Sequence, residues 1–314
     1  MARQQWVLGI DGGGTKTTAI LVARDGTLGA GETSGPSNLA TMGVDHVARL
    51  LVDLVKKCCQ KGSCVAQDLH AVGIGLAGAG RRADRAELRR QVIELSKNEG
   101  FPIHELVVES DWRIALEAAF AGGSGIVLIA GTGSIACAKA QDGSLHRTGG
   151  WGRVLGDEGS GFAIGRSGLG AVLRAYDGRG PLTMLSELAL QHFSVSSIEE
   201  LVGKIYREQA DVATFVPKVF QAASKKDNVA QGILTHGAGE LVDLVRVLME
   251  KIQPKRKFPV ALMGGLLEKD NVYSTMVKET ITTTVSRVVV QKPQFPAVYG
   301  AAILAFRPFM HPAP

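Results

Sequence analysis

The segment Asp11-Gly12-Gly13-Gly14-Thr15-Lys16 concentrates what phosphate binding requires. Its glycines let the backbone turn tightly and aim N–H groups at an anion, while Thr15 adds a hydroxyl and Lys16 a positive charge. The P-loop pattern does not fit, because the lysine follows threonine and a strand pattern comes next instead of a helix. Asp11 ends the apolar run Trp6–Ile10. A carboxylate there would repel phosphate unless Mg²⁺ lay between them, so Asp11 is a candidate Mg²⁺ ligand, through water. A turn-capping Asp is the plainer alternative. A second turn, Gly131-Thr132-Gly133-Ser134, offers a hydroxyl and amides suited to a β- or γ-phosphate. Alone it says little; facing the first turn it would complete a nucleotide site.

Asp111 follows the short run Leu106–Glu109 and Ser110. Ligands gather at strand ends in α/β sheets, and a carboxylate there can accept a hydroxyl proton during phosphoryl transfer. By position alone, Ser110-Asp111 as a helix N-cap is the stronger reading. The stretch from Gly149 to Gly161, GGWGRVLGDEGSG, is too glycine-dense for a simple core element. Trp151 between glycines suits close approach to a flat polar ligand such as a sugar, with core packing as the alternative. Asp157 and Glu158 are placed to bind hydroxyls. Gly73-x-Gly75-x-x-Gly78 has dinucleotide-fingerprint spacing but lacks the surrounding βαβ unit and ribose acid, so it reads as close packing.

The elements that must hold these residues alternate. Trp6–Ile10 and Thr17–Val22 flank the first glycine turn, and Asp25-Gly26 is a strong hairpin signal leading to a third strand. The same order returns: Ile126–Ala130, a glycine turn, Ile135–Ala140, then Asp142-Gly143. VLGIDGGGTKTTAILVARDGTL and IVLIAGTGSIACAKAQDGSL are two copies of one supersecondary unit, the mark of a duplicated domain whose glycine turns face each other across a cleft. Between them, Asp45–Lys57 and Asp84–Lys97 read as amphipathic helices, Ala71–Leu76 as a buried strand and 112–120 as a helix. Residues 182–257 are mostly helical, Pro259–Met263 is a short strand, and a last helix runs over Ala297–Phe306 with Pro308 stopping it. Strands alternating with helices give an α/β class with part of each sheet parallel.

Composition bounds the rest. The chain has 314 residues, 39 of them glycine, 45% apolar and 21% charged. That length suits two domains, and the balance excludes disorder, collagen and coiled coil. A net charge of +5 with 5% aromatic residues argues against nucleic-acid partners, and the arginines at 81, 82, 85, 89 and 90 read as a solvated helix face. Apolar runs are too short to span a membrane, and a strand pattern begins too early for a signal peptide. The cysteines Cys58, Cys59, Cys64 and Cys137 lack C-x-x-C spacing, which favours a reduced cytoplasmic protein.

LGIDGGGTKT, IAGTGSI, GGWGRVLGDEGSGFAIG and ALMGG, in this order, resemble the N-acetylglucosamine kinase branch of the sugar kinase/actin/heat-shock ATPase superfamily, over nearly the whole chain. GGWG…LGDEGS is the most specific part; DGGGTK is shared more widely, including with regulator-type and bacterial hexose kinases, whose Cys-rich zinc motif is missing here. The resemblance implies two ribonuclease-H-like (actin-like ATPase) domains flanking a nucleotide and sugar cleft: residues 1–120 plus about 297–314, and residues 121–296. It implies ATP phosphates held by Gly13, Gly14, Thr15 and Lys16 and by Thr132 and Gly133, with Gly264-Gly265 as the adenosine-side turn. It makes Asp111 the catalytic aspartate. Asn38, Ser134, Gly150, Trp151, Gly152 and Asp157 become the sugar contacts. ATP and Mg²⁺ are the implied cofactors, and the protein is expected to be a cytoplasmic homodimer acting on a small sugar. Leu39 departs from the family, replacing an aromatic found in some members, which leaves N-acetylglucosamine, glucosamine, N-acetylmuramic acid and plain hexoses open. The same branch holds ATPase activators of acyl-CoA dehydratases and reductases that carry an iron–sulfur cluster, but no matching cysteine motif is present. A sugar-sensing regulator would carry a DNA-binding segment ahead of the first strand.

Overall fold

Two apolar runs joined by the glycine turn make the opening hairpin. In the computed structural model, which describes residues 5–310, β1 (Trp6–Gly12) and β2 (Thr17–Ala23) pair antiparallel, Trp6 opposite Ala23 and Gly12 opposite Thr17. The Asp25-Gly26 turn, with Gly26 at φ 88°, leads into β3 (Leu28–Ser34). Then come α1 (Leu39–Met42), α2 (Val44–Lys61), β4 (Leu69–Leu76), α3 (Arg82–Asn98), β5 (Glu105–Ser110) and α4 (Asp111–Ala119). The sheet order is β3-β2-β1-β4-β5, with β1, β4 and β5 mutually parallel. β1 and β4 are buried on both faces, which is why they read as nearly continuous apolar runs.

One face of this sheet is covered by α2 through Val47, Leu51, Leu54, Val55 and Cys58. The other takes the C-terminal helix Ala297–Met310, whose backbone lies directly on glycines. A Cβ at Gly9 would stand 2.3 Å from the Val298 carbonyl oxygen, and one at Gly73 would stand 1.9 Å from that of Ala301. The Gly73/Gly75/Gly78 spacing is therefore packing. That helix runs on past Pro308, where the sequence predicted a stop; proline removes one backbone donor, and the last turn continues without it.

The second half repeats the plan. β6 (Gly125–Ala130), β7 (Ser134–Lys139) and β8 (Leu145–Gly149) form an antiparallel meander. A helical stretch follows: α5 (Gly161–Tyr176), α6 (Leu185–Phe193), α7 (Ile198–Tyr206), a 3-10 turn at Val212–Phe215, α8 (Val216–Ser224) and α9 (Asn228–Ile252). Then come β9 (Phe258–Met263), α10 (Val272–Thr284) and β10 (Val288–Gln291); the C-terminal helix is α11. The sheet order β10-β9-β6-β7-β8 has the same sequence of parallel and antiparallel neighbours as the first sheet. Two compact units divide the chain, Met1–Ser124 with Lys292–Pro314, and Gly125–Gln291. Residues 1–4 and 311–314, part of the first expected domain, lie outside the described residues. Among the described residues no helix is long and apolar enough to cross a membrane.

Candidate active site

In the first unit the parallel strands β1, β4 and β5 end together, and their ends carry the predicted residues. The Gly13 amide donates to the Lys16 carbonyl at 3.0 Å, closing the turn, while Gly14, Thr15 and Lys16 remain exposed. A Cβ at Gly14 would meet no atom within 4 Å, so the loop has room for a ligand. Thr17, fully buried, donates to the Gly35 carbonyl at 2.7 Å, and its Oγ1 also shares a 2.7 Å hydroxyl–hydroxyl bond with Ser37 Oγ. The Ser37 amide donates to the Gly13 carbonyl at 2.9 Å, and the Leu39 amide to the Ala77 carbonyl at 2.9 Å. These bonds fix Asn38 beside the glycine turn. Its Oδ1 accepts from the Ala40 amide at 3.1 Å, capping α1. With that oxygen facing inward, the amide nitrogen is the group left to donate to a ligand.

Asp111 is the first residue of α4; the N-cap position falls to Ser110, whose side chain makes no capping bond. The pair Ser110-Asp111 thus opens a helix, as the plainer alternative had it, with Ser110 and not Asp111 in the cap position. Asp111 Oδ1 accepts from the Trp112 amide at 2.8 Å and its side chain stays exposed. Burial of its surroundings nevertheless raises its pKa, opposed by that amide and its own. Asp11 is half-buried, and its carboxyl is pushed up to about 6, first by desolvation, then by the negative charge of Asp111, with Lys16 pulling it down. Two hard-oxygen carboxylates whose charges are under-compensated make a donor set that fits Mg²⁺. Asp11 would hold the ion, with waters and phosphate oxygens filling the remaining positions.

In the second unit, Asp157 organises the other predicted residues. It is buried and sits in the left-handed region at φ 60°. Its Oδ1 accepts from the Gly152 amide at 3.2 Å, and a Cβ at Gly133 would come within 2.7 Å of its Oδ2. Desolvation raises its pKa, opposed by the Gly152 and Ser134 amides. Ser134 Oγ donates to the Glu158 carbonyl at 2.7 Å. The carbonyls of Gly131 and Thr132 accept from the Gly161 and Phe162 amides at the start of α5, at 2.7 and 3.2 Å, while the Thr132 side chain is exposed. Ser160, a residue that the sequence reading did not single out, caps α5 through the Ala163 amide.

Gly149, Gly150 and Gly152 all have positive φ, and between them Trp151 is 69% exposed. The core-packing alternative for this tryptophan is thereby excluded. The Arg147 guanidinium lies 4.4 Å from its ring centroid. Gly264, at φ 88°, turns so tightly against β6 that a Cβ would stand 2.5 Å from the Ala130 carbonyl; its amide donates to Glu268 Oε1. Gly265 beside it is exposed. Cys58 and Cys59 lie in α2, Cys64 just beyond it and Cys137 on β7, all buried and none in a disulfide. Among the described residues no group of three or more His, Cys, Asp or Glu is placed to hold a metal.

A family model described as the BadF/BadG/BcrA/BcrD ATPase family matches residues 8–305. The chain is 30% identical to an N-acetylmuramic acid/N-acetylglucosamine kinase of Clostridium acetobutylicum, over 96% of this chain and 98% of that protein. It is also 30% identical to an N-acetyl-D-glucosamine kinase of Dictyostelium discoideum, over 95% and 97%. The solved structure of a candidate N-acetylglucosamine kinase from Chromobacterium violaceum is 28% identical with a TM-score of 0.76, covering 96% of this chain and 98% of that one. A ROK family glucokinase from Streptomyces griseus, at 18% identity and a TM-score of 0.58 over 96% and 99%, shares the fold. The architecture is thus α/β with two ribonuclease-H-like domains of the actin-like sugar kinases.

Proposed function

The chain belongs to the BadF/BadG/BcrA/BcrD ATPase family, and from that premise we propose that it is an ATP-dependent kinase of amino sugars, transferring the γ-phosphoryl group to a C6 hydroxyl, with N-acetylglucosamine the first candidate. One observation carries this reading. The ends of β1, β4 and β5 gather a glycine turn with Lys16, a free amide on Asn38, and the carboxylates of Asp11 and Asp111. That is an anion loop, a hydroxyl reader and a base in one place.

In this reading Asn38 donates to a sugar hydroxyl, and Ser134, Gly150, Trp151, Gly152 and Asp157 supply the remaining sugar contacts. Asp111 accepts the C6 hydroxyl proton, the oxygen attacks the γ-phosphorus, and the bond to the β–γ bridging oxygen breaks to release ADP. The raised pKa of Asp111 makes it a stronger base than an ordinary carboxylate. The turn at Gly13–Lys16 and the turn at Thr132-Gly133 hold phosphate oxygens, and Gly264-Gly265 lies beside the adenosine. When bound, Mg²⁺ neutralises charge that develops on the phosphate oxygens. Leu39 is buried in the core, so the position after Asn38 offers no aromatic surface to an N-acetyl group. The protein is read as a cytoplasmic homodimer, to be checked by light scattering.

The test is ADP release with Mg-ATP against N-acetylglucosamine, glucosamine, N-acetylmuramic acid, N-acetylmannosamine and glucose. Strong stimulation by one amino sugar supports the reading and names the substrate. ATP turnover indifferent to every sugar would sink it.

A further inference from the structure

We infer that Arg85 is a positioning residue for the sugar-binding half of the site, fastening the turn after β4 and the end of β5 so that Asn38 and Asp111 are presented together. The inference rests on the kinase reading above. Arg85 lies in the first turn of α3, and its side chain is only 23% exposed. Its Nη1 donates to the Ala79 carbonyl at 2.8 Å and to the Gly80 carbonyl at 3.2 Å, and its Nε stands 3.8 Å from Glu109 Oε2. One guanidinium therefore joins three segments: the turn after β4, the first turn of α3 and the next-to-last residue of β5.

Both segments that it joins to α3 lead to acceptor-side residues. The turn is the bed of Asn38. Ala77 accepts the Leu39 amide, and Gly78, at φ 77°, lies so close that a Cβ would come within 2.4 Å of Asn38 Oδ1 and 2.6 Å of the Ala40 nitrogen. Only a glycine fits there. Glu109 precedes Asp111 by two residues. One helical turn beyond Arg85, Arg89 Nε donates to the Leu106 carbonyl at 2.9 Å, so α3 is fixed along β5 at a second level. A planar guanidinium can serve two carbonyls and a carboxylate at once; a lysine ammonium is a point donor on a flexible stem and reproduces only part of that pattern.

The experiment compares wild type with Arg85→Ala, Arg85→Lys and Glu109→Gln in sugar-stimulated ADP release, with melting temperatures alongside. Arg85→Ala should raise the sugar KM about tenfold or more, because small displacements of a positioning group are costly. Its KM for ATP should stay within about twofold of wild type, since uniform loss of binding is confined to the sugar side. Arg85→Lys should fall between, and Glu109→Gln should have a smaller effect in the same direction, the 3.8 Å pair being the longest of the three contacts. An unchanged sugar KM overturns the inference. So do equal rises in both KM values, or a fall in kcat alone that tracks the folded fraction. Should Arg85→Ala fail to fold, the sugar-only KM rise in Arg85→Lys decides by the same criteria. Wild type without sugar-stimulated turnover would remove the kinase reading and this inference together; stimulated wild type with unaltered variants would remove this inference alone.

Discussion

The two units share one sheet plan and use it differently. Set side by side, the first turn reads Ile10-Asp11-Gly12 and the second Ile129-Ala130-Gly131, so the strand-end carboxylate exists in one copy only. The same holds at the sheet edge: β5 runs into Asp111, whereas β10 ends at Gln291. The second unit's one buried acid, Asp157, comes instead from the loop between β8 and α5, where it accepts from the Gly152 amide. One glycine position also differs. Gly9 lets the α11 backbone sit on the first sheet, while Leu128 at the matching place is a fully buried core side chain. Left-handed glycines occur in both units, Gly26 and Gly78 in the first and Gly149, Gly150 and Gly152 in the second. The repeated sheet plan thus carries two glycine turns, with strand-end carboxylates at Asp11 and Asp111 in the first unit and a loop organised by Asp157 in the second.

The largest expected effect separates these roles. Asp111→Asn should lower turnover by about a thousandfold, within the range of general base catalysis, while calorimetry shows sugar binding preserved. Turnover equal to wild type would return Asp111 to a structural role. Next comes packing. Gly73→Ala places a Cβ 1.9 Å from the Ala301 carbonyl and should cost about 3 kcal/mol in denaturant melts, as overpacking against backbone does. Gly14→Ala meets open space and should leave the melting point in place; similar melts for both variants would contradict the close approach of α11.

A smaller effect is expected in the second unit. Asp157→Ala loses the bond from the Gly152 amide and should cost about 1–2 kcal/mol, while Asp157→Asn, which tolerates positive φ, should cost less. Equal losses would say that charge, not geometry, holds that loop.

The smallest concerns Asp11 in Mg²⁺-free buffer. Its folded-state pKa of about 6 lies above the ordinary carboxylate value, so the folded protein binds the proton more tightly than the unfolded chain. Ionisation as pH rises through that window destabilises the fold. Asp11→Asn should therefore melt higher than wild type at pH 7.5, and the gap should close as pH falls through about 6 toward 4. A variant that melts lower than wild type at pH 7.5 would remove desolvation as the cause.

Much of this was legible in the sequence because strand–turn–strand units advertise themselves through apolar runs and glycine turns. The repeat, the parallel core strands and the helical stretch of 182–257 follow from period and punctuation alone. β10, a four-residue strand whose valines are half-buried or exposed, gave too short a signal. The exposure of Trp151 depends on the three left-handed glycines that flank it, which sequence shows only as density. Arg85 was invisible for another reason. Five arginines near one helix start look alike in sequence, yet Arg90 makes exposed pairs with Glu87 and Glu94 while Arg85 and Arg89 reach backbone carbonyls on other elements. Partners fixed by tertiary placement leave no local trace.

The most direct test of the account is the identity of the product. Wild-type protein would be incubated with Mg-ATP and the sugar that best stimulates ADP release, and the product examined by proton–phosphorus correlation NMR. The account predicts a phosphomonoester whose phosphorus couples to the two C6 protons. Phosphorus coupled to another sugar proton, or free inorganic phosphate formed with ADP, would contradict it.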